Sequence, residues 1–301
     1  MAQSILAGAD WQQGVADMIA ALATQEFYSQ FSRSCETVSG YQSALIVWLS
    51  TSHRPINLYD DLPEELASAA TKPWFEGAYL LDPFYGLFTA KAPEGIYLLQ
   101  DLAPDNFFES EYYRSYYTLT GLTDELGLLV NLDADHSILV SLGNRGAPPT
   151  QKNQLANLQT VMPVLSALCH KQQSAGAGEI TLSAPLDRAF RNFGRDHLSA
   201  RECEVIQLIL KGHSNKSIAQ LLEISVDTVK VYNKRFHTKL DISSQAELFS
   251  LFLETISLVP FDADVDPLTH YREITGGECR LQRTDSAGLS LARLCAAPWI
   301  S

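Results

Sequence analysis

The chain has 301 residues, 46% hydrophobic and 19% charged, with a formal net charge of −13. That length predicts two domains, and the composition predicts that most of the chain folds. The acidic balance leaves a nucleic-acid binder open, because phosphate contact needs only a local basic face. The five cysteines, Cys35, Cys169, Cys203, Cys279 and Cys295, are widely spaced and form no CxxC, which argues for reduced thiols and against a disulfide framework or a zinc site. Met1 to Asp10 lacks a signal-peptide pattern and no apolar run is long enough for a bilayer, so the expectation is a soluble, cytoplasmic protein with no cofactor.

In chain order, Trp11 to Val38 is helical in pattern, with Val15, Met18 or Ile19, Leu22, Phe27 and Phe31 recurring at spacings of three to five. Ser43 to Ser50 (SALIVWLS) predicts a buried strand, with Ile56–Tyr59 as its hairpin partner. Leu62 to Thr71 predicts a short helix, with Asp61 as N-cap and Pro63 in its first turn. Ile96 to Gln100 predicts a strand, and the aromatic stretch Phe107 to Thr118 a helix. Glu125–Leu132 and Ser137–Leu142 predict a hairpin joined through Asp133–His136. A long helix follows from Thr150 to His170, interrupted by Pro163. This order predicts an α+β class: an αβα first domain with an antiparallel sheet, similar to GAF- and PAS-like sensor domains, over Met1–Gln173. A linker is expected over 174–196, an all-α module over 197–257 and a poorly ordered tail over 258–301.

The module is punctuated as four helices. Ser199 and Glu202 form a capping box, and Gly212 ends the first helix. Ser214 caps a second, short helix ending near Leu222. Ser225 caps a third, running to about Leu240. The spacing from Ser214 to Leu240 fits a helix-turn-helix, whose second helix enters the major groove. That helix carries Lys230, Lys234, Arg235 and Lys239 against a single acid, Asp227, opposing the acidity of the whole chain. Any one of these lysines is most simply a solvated helix face; the module as a whole is not explained that way.

Leu198, Arg201, Glu202, Glu204, Val205, Gly212, Ser214, Asn215, Lys216, Ile218, Ala219, Leu222, Ile224, Ser225, Thr228, Val229, Lys230, Lys239 and Leu240 together strongly resemble the LuxR-type DNA-binding domain. Tyr232 and Gln245 depart from it, standing where that family usually has His and Arg. The resemblance implies a transcription regulator, not an enzyme. It implies base-edge contacts from Asp227, Thr228, Lys230 and Val231, and phosphate contacts from Ser214, Lys216, Tyr232, Lys234 and Arg235, with Ser225 starting the reading helix. It also implies dimerisation through the fourth helix, Ser244–Ile256, whose Leu248, Phe249, Leu251, Phe252 and Ile256 are apolar, with packing against the module's own core accounting for part of that surface. The expected partners are a double-stranded DNA operator, a second copy of the chain, a small-molecule ligand and RNA polymerase.

The input domain lacks the acidic arrangement of a phosphorylation receiver and any GxxxxGK[ST] motif. Trp74 to Tyr85 (WFEGAYLLDPFY) resembles the Tyr…Asp-Pro stretch of autoinducer-binding domains, which implies Trp74, Tyr79, Asp82 and Tyr85 as ligand-binding residues. Where those receptors carry a further Trp this chain has Ile96 and Tyr97, which favours another small metabolite over an acyl-homoserine lactone. Aromatic walls with one or two carboxylates, Asp124 and Glu125 among them, suit a cationic or amide ligand. The competing reading of Asp82 is a turn or helix cap, and of the aromatics a plain core. An acyl-homoserine lactone receptor, and a domain that binds a protein partner, remain the alternatives. His53, His136 and His170 have no metal-ligand spacing.

Overall fold

The computed structural model describes residues 5–146, 152–175, 187–259 and 265–275. Helices α1 (Ala9–Ala20) and α2 (Phe27–Ser39) lead into strands β1 (Ser43–Ser50) and β2 (Ile56–Asp60). Next come α3 (Glu64–Leu66), a π-helical turn Ala67–Thr71, α4 (Lys72–Glu76) and α5 (Pro83–Thr89). Strand β3 (Gly95–Leu98), α6 (Leu99–Leu102), α7 (Glu111–Thr120), β4 (Leu122–Asn131), β5 (His136–Arg145) and α8 (Lys152–Ala175) complete the first domain. The strands form one antiparallel sheet of order β2-β1-β5-β4-β3.

Strand alternation divides the sheet into two buried faces. Ile46, Trp48, Leu128, Val130, Ile138 and Val140 pack with Phe31, Cys35, Val161 and Leu165 of α2 and α8. Leu45, Val47, Leu129 and Leu139 face the opposite way, toward Trp74, Phe84, Tyr112 and Tyr117 of α4, α5 and α7. Gly127 belongs to this second face because a Cβ there would stand 2.6 Å from the Phe84 ring. The result is the expected αβα arrangement. The β4–β5 hairpin turns where expected, with the Asp133 carboxylate accepting from the amides of Asp135 and His136 at 2.8 and 2.9 Å.

Several local expectations change. The helical pattern from Trp11 to Val38 breaks between α1 and α2, and the predicted helix from Leu62 opens at Glu64. Asp61 does not cap it: its carboxylate accepts from the Ser43 hydroxyl (2.8 Å) and the Ala44 amide (2.7 Å), tying β1 to the end of β2. The aromatic stretch splits into a 3-10 turn, Phe107–Glu109, and α7, because the Ser110 hydroxyl caps α7 at the Tyr113 amide.

The C-terminal domain comprises α9 (Asp187–Asn192), α10 (Ala200–Leu210), α11 (Asn215–Leu221), α12 (Val226–Leu240), α13 (Gln245–Ser257) and α14 (Pro267–Ile274). Ser199, Ser214, Ser225 and Ser244 cap α10 to α13, and the Ser199–Glu202 capping box forms. Two boundaries move outward. Helix α9 lies inside the expected linker, where Phe190 and Phe193 meet Phe252 edge-on at 5.5 and 5.6 Å. Helix α14 lies inside the expected tail, anchored by Asp266, which is 1% exposed and accepts from the amides of Gly194 and Asp196, both at 2.8 Å. The expectations for 150–151, 176–186, 260–264 and 276–301 lie outside the described residues.

Candidate nucleic-acid interface and sensor core

Helices α11 and α12 are locked by side chains as well as by their core. The Asn233 amide donates to Asn215 Oδ1 at 3.1 Å, joining the two helices. Glu202 of α10 is 2% exposed and binds Lys239 Nζ of α12 at 2.6 Å. Burial opposes the charge on Glu202, but Lys239 and the Ser199 groups outweigh it and hold the carboxyl below its ordinary range. Lys239 therefore ties α12 to α10. Val229, Phe236 and Leu240 fill the inner side of α12.

The outer side of α12 carries most of the residues singled out from sequence. Ser225, Asp227, Lys230, Val231, Lys234 and Arg235 are exposed, and Thr228 and Tyr232 are half-buried. Lys230 pairs with Asp227 at 3.0 Å one turn away, a contact a base edge or phosphate could replace. Lys216 is exposed on α11. Ser214 is half-buried and engaged: its amide and hydroxyl donate to Asp105 of the first domain at 3.0 and 2.5 Å. Nothing in the sequence pointed to Asp105.

The first domain brings Trp74, Tyr79, Asp82 and Tyr85 together. Asp82 is 9% exposed at the amino end of α5. Its Oδ1 accepts from the Phe84 amide at 2.7 Å; its Oδ2 accepts from Trp74 Nε1 and the Tyr112 hydroxyl, both at 2.9 Å. It is thus a helix cap and the acceptor of a buried Trp–Tyr pair at once. Burial raises its carboxyl and these hydrogen bonds act in the other direction, with the rise prevailing. Tyr79 lies 4.8 Å from Tyr85 and 5.7 Å from Trp74, ring centre to ring centre.

Tyr112, absent from the predicted set, completes this group from α7. A helical spacing of four to five residues puts Tyr112, Tyr116 and Tyr117 on one buried face. Tyr117 donates to Glu125 of β4, as does Ser141 of β5. Burial first, and the charge of Asp82 second, push the Glu125 carboxyl up to about 8. The two cavities here are small: about 10 Å³ beside Tyr116, Glu125 and Ser141, and about 20 Å³ between Trp74, Tyr112 and α13. Each has room for a water molecule at most, so a larger guest has to move aromatic side chains.

Helix α13 packs more fully within the chain than expected. Phe249 and Leu253 face α4 and α7 across the second cavity. Leu248, Leu251, Phe252 and Ile256 are also completely buried within the chain. The apolar face expected to pair with a second copy is covered intramolecularly. Cys35, Cys169 and Cys203 are buried. Among the described residues no helix is long and apolar enough to cross a membrane, and no group of His, Cys, Asp and Glu could hold a metal ion.

Comparison with known proteins agrees with this geometry. Residues 196–252 match the family model described as bacterial regulatory proteins, luxR family. A protein of Aeromonas salmonicida, named as an HTH-type transcriptional regulator in the exeN 3′ region, is 30% identical over 190 residues, covering 60% of this chain and 96% of that one. The oxygen regulatory protein NreC of Staphylococcus haemolyticus is 46% identical over 57 residues, only 19% of this chain and 26% of its own. In fold, the chain is similar to the crystal structure of the VqsR LBD domain from Pseudomonas aeruginosa. The TM-score is 0.50 at 24% identity, over 56% of this chain and 99% of that one.

Proposed function

The chain belongs to the luxR family of bacterial regulatory proteins, a class of DNA-binding transcription regulators and not of enzymes, and we propose that it couples retention of a small metabolite to operator binding. In this reading Asp227, Thr228, Lys230 and Val231 meet base edges, while Ser214, Lys216, Tyr232, Lys234 and Arg235 meet phosphates around a helix opened by Ser225. Exposure of the outer face of α12 supports it. The protein acts in the cytoplasm as a homodimer, with RNA polymerase as a further partner.

The single observation that carries the sensor reading is Asp82: a buried carboxylate whose hydrogen-bonding partners include two aromatic side chains, Trp74 and Tyr112. A ligand with an amide or cationic donor can replace those bonds and stack against Tyr79 and Tyr85. Native mass spectrometry of the purified full chain tests this. A retained small molecule, released unchanged on denaturation, supports a sensor. Turnover of that molecule would point to an enzyme, and a protein-only mass under all growth conditions would favour a protein partner.

A further inference from the structure

The first domain and the helix-turn-helix domain are joined through residues that also hold Asp82. Trp74 and Tyr112 donate to its carboxylate. The same two residues line the cavity of about 20 Å³ closed on its far side by Phe249 and Leu253 of α13. One layer of rings thus separates the sensor carboxylate from the C-terminal domain. A second anchor lies nearby: the Asn106 amide donates to the Gly212 carbonyl at 3.1 Å, and Asp105 accepts from Ser214. Gly212 permits this approach, since a Cβ there would stand 2.9 Å from the Phe107 backbone.

We propose that Trp74 and Tyr112 are positioning residues that couple Asp82 to the seating of α13, so that whatever engages the Asp82 carboxylate sets how firmly the DNA-binding domain is held. Packing supplies the physical reason. A ring released from a buried carboxylate has to find a new acceptor, and a close-packed interior offers few positions for it. With a void of only about 20 Å³ beside them, a rotation of Trp74 or Tyr112 into that space presses on its other walls, Phe249 and Leu253 of α13 among them. The assignment of a ligand to Asp82 rests on the function proposed above. The coupling itself rests on shared contacts, and by thermodynamic linkage it operates in both directions.

The reciprocal pair Tyr112→Phe and Leu253→Ala tests it by hydrogen–deuterium exchange on the full chain, with neither ligand nor DNA present. Tyr112→Phe keeps the ring and removes the hydroxyl that bonds Asp82. It should speed exchange of α13 and of the Ser214 amide about tenfold while α2 and α8, on the other face of the sheet, stay unchanged. Leu253→Ala should speed exchange around α4 and α7. Tyr97→Phe, which loses an exposed hydroxyl bond to the Pro93 carbonyl, controls for a missing hydroxyl and should leave α13 unaffected. Effects confined to the mutated domain, or a uniform rise along the whole chain, would overturn the coupling. Absence of a retained metabolite would overturn the sensor reading alone.

Discussion

Asp105 of the first domain holds Ser214 of the helix-turn-helix with both carboxylate oxygens, one on the backbone amide at 3.0 Å and one on the hydroxyl at 2.5 Å. Those hydrogen bonds lower the Asp105 carboxyl below its ordinary value. Because the first helix of a helix-turn-helix crosses the DNA backbone, the proposed DNA contact of Ser214 brings phosphates toward this carboxylate. The first domain adds to the repulsion: residues 1–173 carry 19 acidic and 8 basic side chains. Asp105→Ala should therefore raise the affinity of the full chain for a mixed-sequence duplex about two- to fivefold at low ionic strength, the modest size reflecting an exposed contact. Fluorescence anisotropy measures it; unchanged or weaker binding would show that Asp105 does not compete with DNA.

Two lysines on α12 should behave differently. Lys234→Ala should weaken binding to all duplexes and reduce the salt slope by about one. Lys230→Ala, near the amino end of the reading helix, should cost about 1–3 kcal/mol on the preferred operator and much less on random sequence. Affinity measured against salt on both kinds of duplex separates the two roles. Equal losses on operator and random DNA for Lys230→Ala would place that residue on the backbone instead.

The sequence exposed most of the scaffold because its signals were local. Serine caps, the α12 charge pattern and the alternation in β1, β4 and β5 all act within one element. What it concealed depends on contacts distant along the chain. Asp61 has cap chemistry but is taken by Ser43 and Ala44, so tertiary contact overrides the local rule. Asp105 and Ser214 are 109 residues apart, and neither position signals the other. Lys239 reads as a surface cation until Glu202 is seen beneath it. The apolar excess of α13 was visible, but in this chain its own domain covers Phe252 through Phe190 and Phe193, while Phe249 and Leu253 face α4 and α7. Leu251, 0% exposed, therefore cannot serve as a reporter of pairing, because a charge there would be buried within the chain.

Glu125 predicts a pH dependence of stability. Its carboxyl is raised by burial from an ordinary 4.5 to about 8, so the folded state holds its proton where the unfolded state has released it. Stability from this group is fully present below the ordinary value and declines as pH rises toward the folded value. Glu125→Gln removes the titration while keeping an acceptor for the Ser141 and Tyr117 hydroxyls. Thermal melting across pH 4.5 to 8 should show the wild type losing ground to the variant as pH rises. Parallel curves would mean that Glu125 does not titrate with folding.

Asp82 gives the most discriminating prediction, because its cap and its proposed ligand role fail separately. Asp82→Ala removes the acceptor of the Phe84 amide, Trp74 Nε1 and the Tyr112 hydroxyl, leaving buried donors unmatched. Each stranded donor costs about 1–3 kcal/mol, so the ligand-free protein should melt markedly earlier. Asp82→Asn retains an amide oxygen and most of the shape but removes the charge, so it should fold with a smaller loss. If a ligand donates to this carboxylate, the Asn variant should lose about ten- to hundredfold in affinity, the range expected for a hydrogen bond to a charged group of about 1.5–3 kcal/mol. Melting and calorimetric titration of both variants, using the molecule recovered by native mass spectrometry, distinguish the cases. Full affinity in Asp82→Asn would leave Asp82 as a structural cap and move the search for the ligand contact to Glu125 and Ser141.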